Sequence, residues 1–179
     1  MQNLIASFRI IGIAGQIGSG KTSLALELCK RLNAKKVSFG DFVRSEAIRR
    51  NIIPTRFALQ ELGETLIAEL GPYDFVQRVL DSTDIHPIMV LDGVRHIEIW
   101  QAIRSLAPRS LLIYLDIKEA TRLDRLRSRD NLSDCSIKRA MLHSMEVNIP
   151  KLKGLADIVL LESPLEEMVS EALSRIEQL

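Results

Sequence analysis

Gly15-Gln16-Ile17-Gly18-Ser19-Gly20-Lys21-Thr22 fits the pattern G-x-x-x-x-G-K-[ST] at every fixed position. Before it, Arg9-Ile10-Ile11-Gly12-Ile13-Ala14 is a β-branched run stopped by glycine, which reads as a buried strand. After it, Leu24, Ala25, Leu28 and Leu32 recur at helical spacing, predicting a helix over Thr22 to Leu32. Strand, glycine-rich turn and helix start together make a phosphate-binding loop. Glycines let the backbone curl until successive N–H groups point inward at phosphate oxygens. The helix adds the positive end of its dipole. In such a loop Lys21 reaches the β- and γ-phosphates and the Thr22 hydroxyl coordinates Mg²⁺. The expected nucleotide contacts are Gly15, Gln16, Ile17, Gly18, Ser19, Gly20, Lys21, Thr22 and Ser23, with ATP and Mg²⁺ as the ligands.

Outward from the loop, short apolar runs alternate with helical stretches. Lys36-Val37-Ser38-Phe39 is a second strand, and Asp41 to Arg50 reads as a helix. Pro54 to Leu70 carries Leu59, Leu62, Leu66, Ile67 and Leu70 on one face and stops at Gly71-Pro72. Tyr73 to Asp81 is a shorter helix. Strands follow at Ile88–Leu91, ending at Asp92-Gly93, then at Leu111–Leu115 and Ile158–Leu161, with a closing helix from Pro164 to Leu179. Such alternation without period-two patterning implies an α/β fold with a parallel sheet buried on both faces. Ligands in such folds bind at the carboxyl ends of the strands.

The chain has 179 residues, a length that suits one domain over 1–179. Its 46% hydrophobic and 26% charged residues exclude a disordered tail or a fibre. No apolar run reaches the roughly 18 residues of a membrane span, and Met1 to Phe8 lacks a signal pattern, so a cytoplasmic protein with no membrane partner is expected. Cys29 and Cys135 have no metal-ligand spacing and are too few for a disulfide framework. A net charge of +1 and 4% aromatic residues give no footprint for a nucleic-acid polymer. Sixteen of the 24 cations are arginines, whose planar forks suit phosphate and carboxylate. His86, His96 and His143 are scattered, without metal spacing, and read as structural or surface residues. Nothing in the pattern fixes an oligomeric state.

Ser38-Phe39-Gly40-Asp41-Phe42-Val43-Arg44, following the loop, resembles the Gly-Asp-x-x-Arg stretch of the adenylate kinase superfamily of P-loop kinases. That resemblance implies a three-layer α/β/α P-loop NTPase fold, with a five-stranded parallel sheet in the order 2-3-1-4-5. It implies an acceptor-binding helical insertion at about 41–85, with Arg44 on the acceptor phosphate. Asp92-Gly93-Val94-Arg95 is similar to the family's Asp-Gly-x-x-Arg, with the arginine one place earlier. By that likeness Asp92 holds a water on Mg²⁺ and Arg95 binds phosphate. Arg56-Phe57-Ala58-Leu59-Gln60-Glu61-Leu62-Gly63-Glu64 resembles deoxynucleoside monophosphate kinases, with Glu64 where they keep threonine. Gln60 could contact the acceptor or could equally be a helix-surface glutamine.

Arg122, Arg125 and Arg129 fall at i, i+3 and i+7 and share a helix face. Such a density of like charge is unfavourable without an anion. Asp124-Arg125-Leu126-Arg127-Ser128-Arg129 resembles the family's Asp-Arg-x-x-x-Arg at the lid entry, which implies that Arg125 stacks on the donor adenine and Arg129 reaches its phosphates. The sequence then leaves room only for a short lid, about 125–139. Ala156-Asp157-Ile158-Val159-Leu160 and Leu165-Glu166-Glu167 resemble dephospho-CoA kinases.

The expected activity is transfer of the γ-phosphoryl group of Mg-ATP onto a small phosphorylated acceptor, a nucleoside or deoxynucleoside monophosphate. The alternatives are a dephospho-CoA kinase-like enzyme and a nucleotide-dependent regulatory ATPase with little kinase activity. Asp41 stands where a general base would sit if the acceptor were a hydroxyl. The expected catalytic set is Lys21, Arg129, Arg95, Asp41 and Asp92. The acceptor contacts are Arg44, Arg95 and Gln60, and the Mg²⁺ ligands Thr22 and Asp92.

Overall fold

The computed structural model describes residues 9–84, 86–130, 137, 141 and 148–178. Five strands run β1 (Arg9–Gly15), β2 (Lys35–Ser38), β3 (Ile88–Val94), β4 (Leu111–Asp116) and β5 (Ile158–Leu161). The helices are α1 (Lys21–Leu32), α2 (Phe39–Arg49), α3 (Arg56–Asp81), α4 (Ile97–Leu106), α5 (Glu119–Asp130) and α6 (Leu165–Gln178), with a 3₁₀ turn over Ile149–Leu155. The strands form one parallel sheet in the order β2-β3-β1-β4-β5. This is the α/β architecture that the sequence pattern predicts, in the strand order that the family resemblance implies.

The central strand explains the layering. Ile10 and Ala14 pack into a core with α2, α3, α4 and the 3₁₀ turn, while Ile11 and Ile13 pack on α1 and α6. Successive side chains of a strand point to opposite faces. A run apolar at every position therefore needs a layer on each side, and β1 has one. Gly12 leaves the space into which Trp100 of α4 fits, since a Cβ there would lie 2.9 Å from the indole Cζ3. Trp100 is 2% exposed and is among the largest buried side chains of the protein.

Register aligns the carboxyl ends of the strands. Asp92 of β3 lies opposite Ile13 of β1 and Ser38 of β2, and Gly15 lies opposite Leu115 of β4. Ser38 also caps α2 by accepting a bond from the Asp41 N–H (3.1 Å). Thr55 caps α3 through the Ala58 N–H (3.2 Å).

The helix stops at Gly71-Pro72 as expected, and a second helix follows after the break. Gly71 takes φ 76° and ψ 158°, and helical backbone resumes at once to Asp81. Proline cannot donate within the ladder but suits the first turn of a new helix, so two pieces run on as one bent element. The amphipathic helix α4 and the 3₁₀ turn are elements that the sequence pattern above does not predict. Most of the expected lid, residues 131–136 and 138–139, lies outside the described residues. Among the described residues no helix is long and apolar enough to cross a membrane.

Trp100→Ala would empty the space over Gly12 and should lower unfolding free energy by about 3–5 kcal/mol, read as an earlier urea midpoint.

Candidate active site

Strand β1 ends at Gly15 and α1 begins at Lys21, so the loop spans the gap between the sheet edge and a helix N-terminus. Gly18 and Gly20 hold it in that shape. Their φ values of 80° and 96° lie in the left-handed region, where a Cβ is strained. At Gly18 a Cβ would also lie 2.6 Å from the Arg122 carbonyl oxygen, so α5 presses directly on the loop. Lys21 is 8% exposed, and its Nζ donates to the carbonyls of Gly15 (2.7 Å) and Gln16 (3.0 Å). The Ser19 N–H donates to the Gln16 carbonyl (3.1 Å), while the buried Ser19 Oγ has no partner.

Adjacency of β1 and β3 brings two distant residues together. Thr22, at the start of α1, donates its hydroxyl proton to Asp92 Oδ2 at 2.7 Å. Asp92 is 7% exposed, and Thr22 and Ser23 are exposed on the cleft wall. A hydroxyl beside a carboxylate, next to the phosphate loop, is an oxygen donor set suited to a hard divalent cation and its waters. The residues therefore fit Mg²⁺.

Helix α5 closes the loop from the far side. Glu162, just beyond β5, accepts from the Thr121 hydroxyl (2.7 Å) and the Lys118 N–H (3.2 Å) at the start of α5. Those bonds, the Thr121 hydroxyl first, hold the Glu162 carboxyl below the usual range. Arg125 Nη1 reaches the carbonyls of Ser19 (3.1 Å) and Gly18 (3.5 Å). Arg127 is exposed, with Asp124 3.5 Å away. Arg129 lies in the last turn of α5, and its side chain is outside the described residues.

Arg122 corrects the sequence reading. Rather than joining Arg125 on an anion-facing stripe, it is 4% exposed and donates to the carbonyls of Ile117 and Ile17, each at 3.2 Å. The expected crowding of like charge is relieved by main-chain oxygens.

A cleft of about 750 Å³ runs from the loop toward α2 and α3. Phe75, Val43, Leu59 and Ile67 line its apolar part, and Arg44, Arg56 and Arg95 line it from α2, α3 and the turn after β3. Gln60, 8% exposed, also lines it. It is therefore not on an exposed helix surface. The Asp41 carboxylate lies on the cleft wall, 70% exposed, with the Lys36 ammonium 3.6 Å away.

A family model described as an AAA domain (AAA_18) matches residues 11–140. A UPF0200 protein of Hyperthermus butylicus is 30% identical over 177 residues, covering 93% of this chain and 94% of its own length. Another, from Pyrobaculum aerophilum, is 30% identical over 168 residues, covering 90% and 93%. The chain belongs to the AAA_18 domain family and to the UPF0200 proteins. Among solved structures, a shikimate kinase from Aquifex aeolicus superposes with a TM-score of 0.60 at 20% identity, covering 94% of this chain and 96% of that one. A gluconokinase from Sinorhizobium meliloti gives 0.60 at 17%, covering 97% and 93%. The Mycobacterium tuberculosis APS kinase, in complex with AMPPNP and APS, gives 0.65 at 14%, covering 96% and 98%. At these identities the likeness establishes the fold, that of P-loop small-molecule kinases. The AAA_18 domain and its loop imply nucleotide binding.

Of the residues singled out in the sequence, Ile17, Gly18, Gly20, Lys21, Thr22, Ser23, Asp41, Arg44, Gln60, Asp92, Arg95 and Arg125 line this one cleft. Gly15, Gln16 and Ser19 build the loop behind it. Sequence reasoning missed Lys36, Arg56 and His96 as cleft residues. Arg56 opens one quoted motif and His96 directly follows another, which is the signal they carry; Lys36 carries none. His96 stands at the N-cap position of α4 without a side-chain capping bond, lines the cleft, and has a buried Nε2 without a partner.

Burial pushes the His96 imidazole below its ordinary value of 6.5, outweighing Glu98 and Glu64, while Arg95 acts with burial. The unfolded chain therefore binds more protons than the folded one as pH falls below 6.5, and stability falls with it. The drop in urea midpoint between about pH 7.5 and about pH 5.5 should be smaller in His96→Gln than in the wild type.

Proposed function

We propose that the chain is an ATP-dependent small-molecule phosphotransferase that moves the γ-phosphoryl group of Mg-ATP onto a nucleoside or deoxynucleoside monophosphate. The observation that carries this reading is the single cleft joining a phosphate loop to a wall with three arginines. A switch needs the first part. Only an enzyme with an anionic acceptor needs the second.

In this reading the loop N–H groups and Lys21 bind the β- and γ-phosphates. Phosphoryl transfer is mostly positioning and charge neutralisation, so cations rather than a covalent intermediate do the work. Thr22 would hold Mg²⁺ directly and Asp92 through water; bound there, the ion would neutralise charge on the β- and γ-oxygens. Arg125 lies over the loop, where a guanidinium plane can stack on the donor purine. Arg129 stabilises charge on the transferring group. Arg44 and Arg95 clamp the acceptor phosphate, and Gln60 offers a buried amide to the acceptor's body. A monophosphate attacks with an ionised oxygen and needs no general base.

One observation favours a second reading, a hydroxyl acceptor of the dephospho-CoA kind. Asp41 is a carboxylate on the cleft wall, beside the cation of Lys36. It is available to take a hydroxyl proton.

The test is ADP release from Mg-ATP across ribo- and deoxynucleoside monophosphates, dephospho-CoA and phosphomevalonate, against a no-acceptor blank. One monophosphate should raise release well above the blank, and Lys21→Ala should abolish it. Uniform slow hydrolysis with every compound would refute the kinase reading in favour of a regulatory ATPase. Arg129→Ala should lower kcat more than it raises KM for ATP, as expected of a group that acts mainly in the transition state. Asp41→Asn should abolish turnover only if the productive acceptor is a hydroxyl.

A further inference from the structure

We propose that Arg122 is a positioning residue for the donor phosphates, pinning the outer face of the phosphate loop and setting a buried positive charge behind it. Its guanidinium donates to the Ile17 carbonyl within the loop and to the Ile117 carbonyl at the exit of β4. In a trans peptide the C=O and the following N–H point in opposite directions. A carbonyl of Ile17 turned to Arg122 therefore turns the Gly18 N–H away from it. Gly18 lines the cleft and Arg122 does not, so that N–H faces the ligand side. Arg125 does the same for the Gly20 N–H by holding the Ser19 carbonyl, while the Ser19 N–H donates within the loop to the Gln16 carbonyl.

The electrostatics point the same way. Among the described residues Arg122 bonds only to carbonyls, and no carboxylate pairs with it. A buried cation without a counter-ion is costly. A polyphosphate in the loop supplies the missing negative charge, so part of the gain on binding comes from this residue without contact. The anchoring of α5 by Glu162 fixes the helix from which Arg122 acts.

The inference rests on the loop binding a nucleoside triphosphate. Its test is calorimetric titration of the full chain with ATP and with inorganic tripolyphosphate, well below the melting temperature. Wild type is compared with Arg122→Lys, Arg122→Gln and Arg122→Met. Loss of a buried charged hydrogen-bond donor should raise Kd for ATP in Arg122→Met by roughly tenfold to a hundredfold. Tripolyphosphate, which has no purine, should lose affinity by a similar factor. Arg122→Lys, which keeps the charge, should bind more tightly than Arg122→Gln, which keeps only neutral donors. A merely structural role would lower the melting temperature and leave this order absent.

Wild-type ATP affinity in folded Arg122→Met would overturn the proposal. Should that variant not fold, the comparison of Lys with Gln decides, and equal affinities overturn it. Failure of the wild type itself to bind ATP would overturn the functional reading, and this role with it.

Discussion

Strand β1 is buried from Ile10 to Gly15, and the rest of the molecule depends on that burial. A strand apolar on both faces cannot be stable at an edge or with one layer of helices. It takes the centre of a parallel sheet, with α1 and α6 beneath it and α2 to α4 above. Its position then dictates where the phosphate loop emerges. Because β3 is its neighbour, Asp92 meets Thr22. Because β4 is its other neighbour, α5 lies against the loop and the Arg122 carbonyl sits where a side chain at Gly18 would have to go.

The loop is a division of labour within the peptide group. Three cations, Lys21, Arg122 and Arg125, take five carbonyl oxygens of residues 15 to 19 between them. The carbonyls are drawn to side chains, and the opposite ends of the same peptides, apart from the Ser19 N–H that bonds the Gln16 carbonyl, are left to face a polyanion. Such an arrangement is preorganised: little reorientation is needed when charge arrives. Positive charge built up in this way, with Asp92 the buried carboxylate at the cleft, suits a phosphate ligand and would repel a cationic one.

On the other side of the cleft the chemistry changes. An apolar part set by Phe75, Val43, Leu59 and Ile67 is flanked by guanidinium groups and one buried amide. A small molecule with an anionic end and a flat or apolar body matches that surface. The packing of Phe75 against Phe39 and Phe42, with ring centroids 5.8 Å and 5.7 Å apart, ties this part to α2, so Asp41 and Arg44 are carried on a helix rather than on a free loop.

Much of this was legible beforehand. The strand-loop-helix unit, the parallel sheet and the closing helix follow from local patterns, because a motif with fixed glycines and a run of buried β-branched residues act over a few neighbouring residues. Helix α4 was harder to see, since its amphipathic face is short and lies between two motifs. Arg122 was misread because its spacing matches that of Arg125, and periodicity cannot say whether a side chain faces solvent, ligand or a neighbouring carbonyl. His96 looked like a scattered histidine for the same reason. Local pattern marks the strand that carries the loop and the residue types in it that suit phosphate. It takes the folded packing to show that Arg122 bonds the loop, that Gln60 lines the cleft, and that Thr22 and Asp92, 70 residues apart, share a hydrogen bond. Those facts depend on which strands are neighbours and which helix packs on the loop, and such contacts arise between residues far apart in the chain.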